Sequence, residues 1–220
     1  MFGKWEKHRQ QVLLVAQQLM HSELVGSSSG NISKRIGGSE PFIAITPSQR
    51  QYSLMRSKDI LIVDDLGSIV EGRLPASSEI RIHLETYKRR KDVHAVIHSH
   101  SIYVGICSVA GLSIPPILDE LVISVGGEVS LAKYAFPGSQ ELAENICEAL
   151  GDQSAVLMQN HGLLAVGRDL QEAFNVCELI ERAAQTYVMA KLLGRITKLP
   201  LDVVEKERRL YEVAREELFQ

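Results

Sequence analysis

The run Ala95-Val96-Ile97-His98-Ser99-His100 constrains this chain more than any other stretch. An apolar run that stops on two histidines one residue apart reads as a strand, and residues i and i+2 of a strand point to the same face. His98 and His100 therefore project together. They are either a chance pair on a half-buried strand or two arms of a metal site, which needs a third arm from elsewhere. Asn160-His161-Gly162, set between the apolar runs Ala155-Val156-Leu157-Met158 and Leu163-Leu164-Ala165-Val166, offers one at a chain reversal. Glu79, in Pro75-Ala76-Ser77-Ser78-Glu79, could be a fourth.

Other segments sort by periodicity. From about Trp5 to Leu24, the spacing of Leu13, Ala16, Met20 and Leu24, widened by Val12 and Leu19, predicts an amphipathic helix. Val25-Gly26-Ser27-Ser28-Ser29-Gly30-Asn31 breaks that pattern before a short strand, Ile32 to Ile36. Such a loop is either an ordinary flexible turn or a set of N–H and hydroxyl groups offered to an anion. Phe42 to Pro47 reads as a strand ending at proline, with Ser48 and Gln49 in a turn. Asp59 to Asp64 reads as a strand buried on both faces, and Asp65-Leu66-Gly67-Ser68 as the hairpin turn into Ile69-Val70-Glu71. Their close spacing favours an antiparallel meander over β-α-β crossovers.

Ser77 and Ser78 predict the N-cap of a helix to about Arg90, with Glu79 in its first turn, where the helix dipole favours a carboxylate. Arg81, His83, Glu85 and Lys88 supply polar surface, leaving open whether Glu79 faces solvent or sheet. His8, His21, His83 and His94 read as partly exposed, with no role. Further helices are expected from Ser101 to Ala110, from Gln140 to Leu150, from an Asp169 cap to about Leu193, and from Asp202 to Leu218, the last with apolar Val203, Leu210 and Val213. Ile117-Leu118-Asp119-Glu120-Leu121-Val122 sets two adjacent carboxylates among aliphatic residues, either as a solvated edge or as buried acids with raised pKa.

Composition narrows the classes. With 220 residues, 45% of them hydrophobic, the chain is expected to form one domain, 1–220, around a substantial core. A formal charge of -3 carries no basic excess, which argues against a nucleic-acid partner. Cys107, Cys147 and Cys177 form neither a C-x-x-C motif nor a disulfide framework, as expected of packing residues in a reducing cytosol. The start has no apolar signal-like core, and nowhere do about eighteen apolar residues run together. A cytoplasmic protein with no membrane partner is expected.

With Gly30-Asn31, Ile45-Thr46-Pro47, Ser77-Ser78-Glu79, His98-Ser99-His100 and Asn160-His161-Gly162 in this order, the chain resembles the class II aldolase/adducin family. The likeness is greatest to its fuculose-1-phosphate aldolases and runs from the first helix to about residue 190. The resemblance implies an α/β fold of three layers, α/β/α, with a central, mainly antiparallel sheet flanked by helices. It also implies one Zn²⁺ per subunit, or another divalent ion, held by His98, His100 and His161, with Glu79 as fourth ligand until substrate binds and as base thereafter. Phosphate would lie among Asn31, Ser48, Ser77 and Ser78, with loop N–H groups from Ser28 to Gly30. A homotetramer with active sites at subunit interfaces is implied, acting on a small phosphorylated ketose that it cleaves reversibly to dihydroxyacetone phosphate and an aldehyde.

Two residues depart from the family pattern. Gln49 stands where the phosphate turn usually has glycine, so the backbone approaches the phosphate less closely or the side-chain amide contributes. Glu120 stands where the fuculose enzymes carry a tyrosine acid, and a similar glutamate is associated with methylthioribulose-1-phosphate dehydratases of the same fold. Tyr211, in the last helix, could reach a neighbouring active site, but that segment aligns too poorly to assign it. Retro-aldol cleavage develops negative charge on the carbonyl oxygen, which a bound dication stabilises directly. Glu79 and Glu120, in different environments, could divide the acid and base work. A dehydratase or a pentulose-5-phosphate 4-epimerase would share the metal and phosphate sites. An adducin-like interaction module would not keep the metal pattern, which is complete here.

Overall fold

The apolar runs become strands and the periodic segments become helices, and the computed structural model describes them over residues 3–37 and 41–216. The strands are β1 (Asn31–Ile36), β2 (Phe42–Ile45), β3 (Leu61–Val63), β4 (Ile69–Glu71), β5 (Ala95–Ser99), β6 (Leu131–Ala132), β7 (Ala155–Met158) and β8 (Gly162–Gly167). They form an 8-stranded sheet in the order β4-β3-β2-β1-β5-β8-β7-β6. The meander expected from the spacing is the β1 to β4 half, antiparallel throughout. Among the described residues the single parallel pairing is β6 with β7.

Helices α1 (Glu6–His21), α2 (Ile80–Arg89), α3 (Ile102–Val109), α4 (Asp119–Val125), α5 (Gln140–Leu150), α6 (Leu170–Leu192) and α7 (Leu201–Glu216) complete the fold. Side chains alternate strictly across the sheet. Ala95 and Ile97 of β5 join an apolar cluster with α1, α3, α4 and α6, whereas Val96 joins a second cluster with α2 and α5. Both faces are thus covered, giving the three-layer α/β/α arrangement. Each fully buried Val, Leu or Ile contributes about 1.5–3 kcal/mol. A slip of one residue in β5 would drive the histidine that follows into the wrong layer.

Several local expectations are corrected. The first helix stops at His21 because Glu23 adopts a left-handed φ of 57°, and its buried face is Val12, Val15, Ala16 and Leu19, with Leu13 and Met20 at the margin. Asp59 leaves the strand: its carboxylate accepts from the Arg56 N–H and closes a short 3-10 turn. In α7 the buried residue is Tyr211, while Leu210 and Val213 are exposed, so this helix docks through a polar face. Its expected end at Leu218 lies outside the described residues. The cap at Asp169 forms as expected, accepting from the Glu172 N–H, and Ser139 caps α5 in the same way by accepting from the Leu142 N–H. All three cysteines are buried and free, and burial pushes the thiols of Cys107 and Cys177 up to about 11 and about 12, consistent with packing. No described helix is long and apolar enough to cross a membrane.

Candidate active site

The site forms where β5 runs out against its neighbours. Register pairs His98 with Asn31 of β1 on one side and with Leu164 of β8 on the other, which places its ring in the middle of the sheet, fully buried. Its Nδ1 lies 2.8 Å from the Leu163 carbonyl, which can only accept, so Nδ1 carries the proton and Nε2 presents a bare lone pair. His100, one residue beyond the strand, brings its Nε2 to 2.7 Å from that of His98. Two nitrogens this close require a proton or a cation between them.

His161 comes from the three-residue turn between β7 and β8. Asn160, at a φ of 57°, makes the left-handed step that asparagine tolerates, and Ser108 of α3 clamps the turn by accepting from the His161 N–H at 3.0 Å and donating to the Met158 carbonyl. Gly162 is obligatory: a Cβ there would collide with the Ser99 carbonyl and lie 2.9 Å from the His100 ring. The ligand atoms of His98, His100 and His161 all lie within 4.8 Å of one another.

Glu79 is not in the first turn of α2 but immediately before it, and the Ser77 hydroxyl accepts from its N–H. Its side chain faces the sheet, not solvent. Oε2 is 3.3 Å from His98 Nε2 and accepts from the Asn31 amide at 2.9 Å, while Oε1 is 3.1 Å from His161 Nε2 yet buried without a hydrogen-bond partner. Burial alone would raise this carboxyl, but the adjacent His161 and His98 side chains and the Asn31 amide hold it well below the usual carboxylate range. Burial likewise pushes the His98 imidazole down to about 4 and lowers His100, so the rings are neutral donors near pH 7. Three clustered imidazoles and a buried, ionised carboxylate fit a divalent cation.

Beside the histidines, three segments are stitched together. The Ser48 N–H donates to the Pro75 carbonyl, the Thr46 N–H to that of Ile32, and the Tyr52 hydroxyl to that of Gly30. These bonds, with that of the Asn31 amide to Glu79, tie together the segments that carry Ser28, Gly30 and Asn31, Ser48 and Gln49, and Ser77 and Ser78. Gly30, at a φ of 78°, lets the loop close onto β5, because a Cβ would stand 2.5 Å from the His98 carbonyl. Gln49 keeps the left-handed φ, 53°, that glycine would adopt without strain, at a cost of about 1 kcal/mol. None of these seven residues is a cation, so an anion held here would rest on N–H and hydroxyl groups.

Other expectations are revised. Glu120 is not buried among aliphatics: it is exposed on α4 and paired with Arg182 at 2.7 Å, and it shares no hydrogen bond with the Glu79 cluster. Asp119 is exposed too. Helix α4 starts only at Asp119, so Leu121 and Val122 turn inward on it while Glu120 stays on the exposed side. Tyr211 is engaged within its own chain, donating to the Asp152 carbonyl at 2.8 Å and packing on Gly126. His83, expected to be partly exposed, is fully buried. The signal for it was available: Glu79, His83 and Tyr87 recur every four residues and share one face of α2.

Comparison with known proteins agrees with this geometry. Residues 10–188 match the family model described as Class II Aldolase and Adducin N-terminal domain. The chain is 32% identical over 207 residues to the 5-deoxy-D-ribulose 1-phosphate aldolase of Bacillus thuringiensis serovar kurstaki, covering 94% of this chain and 96% of that one. It is 32% identical over 182 residues to the L-fuculose phosphate aldolase of Escherichia coli, covering 83% of each. A solved L-fuculose 1-phosphate aldolase superposes with a TM-score of 0.89 at 31% identity, over 96% of this chain and 98% of the other. With the histidine triad, the buried glutamate and the three-layer sheet in place, the chain belongs to the class II aldolase and adducin family.

Proposed function

We propose that this protein is a zinc-dependent aldolase that cleaves a ketose 1-phosphate reversibly to dihydroxyacetone phosphate and an aldehyde, and that it works as a homotetramer with sites at subunit contacts. The observation that carries this reading is the convergence of three imidazoles beside the buried carboxylate of Glu79, whose Oε2 lies near His98 and whose Oε1 lies near His161, next to loops that offer only N–H and hydroxyl groups. Relatives named as aldolases of fuculose phosphate and 5-deoxyribulose 1-phosphate support the substrate class.

A Zn²⁺ or similar ion held by His98, His100, His161 and, before substrate arrives, Glu79 would supply positive charge where the carbonyl oxygen becomes negative. Glu79, kept ionised by His161 and Asn31, would remove a proton from dihydroxyacetone phosphate in condensation and return it in cleavage. Ser28, Gly30, Asn31, Ser48, Gln49, Ser77 and Ser78 would hold the phosphate and fix the substrate's orientation away from the bond broken. Glu120, exposed on α4 and paired with Arg182, would complete a neighbour's site and exchange the proton of the alcohol that becomes the aldehyde. The exposed apolar row Ile102, Ile106 and Val109 on α3 supports assembly.

The test is incubation of the zinc-loaded protein with a panel of ketose 1-phosphates, 5-deoxypentuloses and 6-deoxyhexuloses included. Release of dihydroxyacetone phosphate is expected. Loss of water without carbon–carbon cleavage would move the assignment to a dehydratase, and an epimeric product to a 4-epimerase. A folded protein that takes up no metal would favour an interaction module.

A further inference from the structure

Behind the site, α2 and β1 meet through polar groups in an otherwise apolar layer. Glu79, His83 and Tyr87 lie along one face of α2, and Asn31 and Ser33, two apart on β1, face them. Asn31 Nδ2 donates to Glu79 Oε2 at 2.9 Å, Asn31 Oδ1 lies 2.5 Å from His83 Nε2, His83 Nδ1 lies 2.6 Å from Ser33 Oγ, and Ser33 Oγ lies 2.8 Å from the Tyr87 hydroxyl. His83, Ser33 and Thr86 are fully buried, and Tyr87 nearly so.

The donors in this chain have one consistent direction. An ionised carboxylate only accepts, so the Asn31 NH₂ must face Glu79 and its oxygen must face His83. His83 then carries its proton on Nε2, leaving Nδ1 to accept from Ser33, whose oxygen accepts from Tyr87. Burial pushes the His83 imidazole down to about 3, so the ring is neutral and offers one donor and one acceptor. Removing the donor at position 83 would leave the Asn31 amide free to turn over and set its oxygen against the carboxylate.

We propose that His83 is a positioning residue, whose Nε2–H locks the Asn31 amide in the orientation that donates to Glu79 and thereby aims the carboxylate at the histidine cluster. The proposal rests on the aldolase reading only where it concerns turnover. Ligand-orienting partners of this kind are worth about 10–100-fold in activity or metal affinity.

The experiment uses the full-length protein carrying His83→Leu, His83→Gln, Asn31→Ala and the His83→Leu/Asn31→Ala pair. Glutamine can donate to Asn31 through its amide and accept from Ser33 through its carbonyl, so it keeps the polarity and changes the shape. In the zinc form, His83→Leu should lower kcat about 10–100-fold with metal content unchanged and KM nearly so. His83→Gln should recover most of that loss, and the double variant should be no worse than Asn31→Ala alone. In the Co²⁺ form, without substrate, His83→Leu and Asn31→Ala should share one altered visible spectrum, with His83→Gln resembling the parent. Wild-type behaviour of His83→Leu, multiplied effects in the pair, or equal damage from Gln and Leu would overturn the proposal. Should the His83→Leu chain fail to fold, ¹⁵N shifts of His83 decide: a proton on Nε2 in the parent, with that preference lost in Asn31→Ala, supports the lock, and a parent proton on Nδ1 overturns it. If the parent cleaves no ketose phosphate, the aldolase reading fails while the spectra and ring shifts still judge His83.

Discussion

In the proposed mechanism Glu79 and the histidines divide their work between holding charge and moving protons, and substitution should separate the two. His98→Ala removes a fully buried ring whose orientation is set by the Leu163 carbonyl, so bound metal and turnover should disappear together, as metal analysis of the purified variant would show. Glu79→Gln keeps the shape and one donor-facing oxygen but cannot accept a proton. It should retain metal on the three imidazoles and lose about 10²–10⁴-fold in turnover. Retained turnover in the Gln variant would take the base role away from Glu79. At this scale the histidines were legible in the sequence because a period of two and a turn signal suffice to bring them together. The environment of Glu120 was not, since an acid among aliphatic neighbours in sequence stands in solvent once those neighbours turn inward around a helix.

At the scale of elements, charged clamps join parts that have no apolar face to share. Asp92, just before β5, receives Arg90 at 2.7 Å and Arg215 of α7 at 2.6 Å. Arg208 of α7 reaches Asp152 at 2.7 Å and donates to the Gly126 carbonyl. Glu181 of α6 caps the start of α3, accepting from Ser101 and from the N–H groups of Tyr103 and Val104, which steadies the chain just after His100. Burial would raise the Asp92 carboxyl, but the two guanidiniums hold it well below its ordinary value. A carboxyl lowered by folding stabilises the fold above its unfolded pKa of about 3.9 and loses that contribution as pH falls towards the folded pKa. Asp92→Asn should therefore cost about 1–2 kcal/mol at pH 7, and the difference from the parent should shrink below about pH 4 in denaturant titrations. A difference independent of pH would mean that the clamp acts through shape alone. The sequence marked α7 as a highly charged helix with apolar Val203, Leu210 and Val213. The helix docks instead by Tyr211 and its arginines, a choice made by the partners they find.

For the whole molecule, the proposed tetramer makes a prediction that no single chain can meet. If Glu120 serves a neighbouring site, His98→Ala and Glu120→Gln subunits are each inactive alone, yet mixed assemblies contain sites with both an intact metal cluster and an intact glutamate. Refolding the two variants together should restore a measurable part of the parent activity. No recovery, with mixed tetramers present by native mass spectrometry, would place both residues in one chain's site or remove Glu120 from the chemistry. Replacing Ile102 and Val109, both 69% exposed, by aspartate should shift sedimentation towards smaller species if the α3 row is a contact.

The sequence by itself determined most strands and helices of this fold and marked His98, His100 and His161 as candidate ligands, because strand alternation, helix periodicity and a turn signal are local properties that survive without knowledge of neighbours; the three-layer arrangement was implied only by the family resemblance. The sequence also placed the loop residues Gly30, Asn31, Ser48, Ser77 and Ser78 in the family's order. Only the tertiary structure decided which way Glu79 faces, that His83 is buried behind Asn31 and that Glu120 is paired with Arg182. A polar side chain's environment depends on partners distant in sequence, 52 residues apart for His83 and Asn31, and its hydrogen-bonding capacity can be satisfied by water or by protein alike. Apolar periodicity has one low-energy solution, burial. Polar groups have several, and packing selects among them.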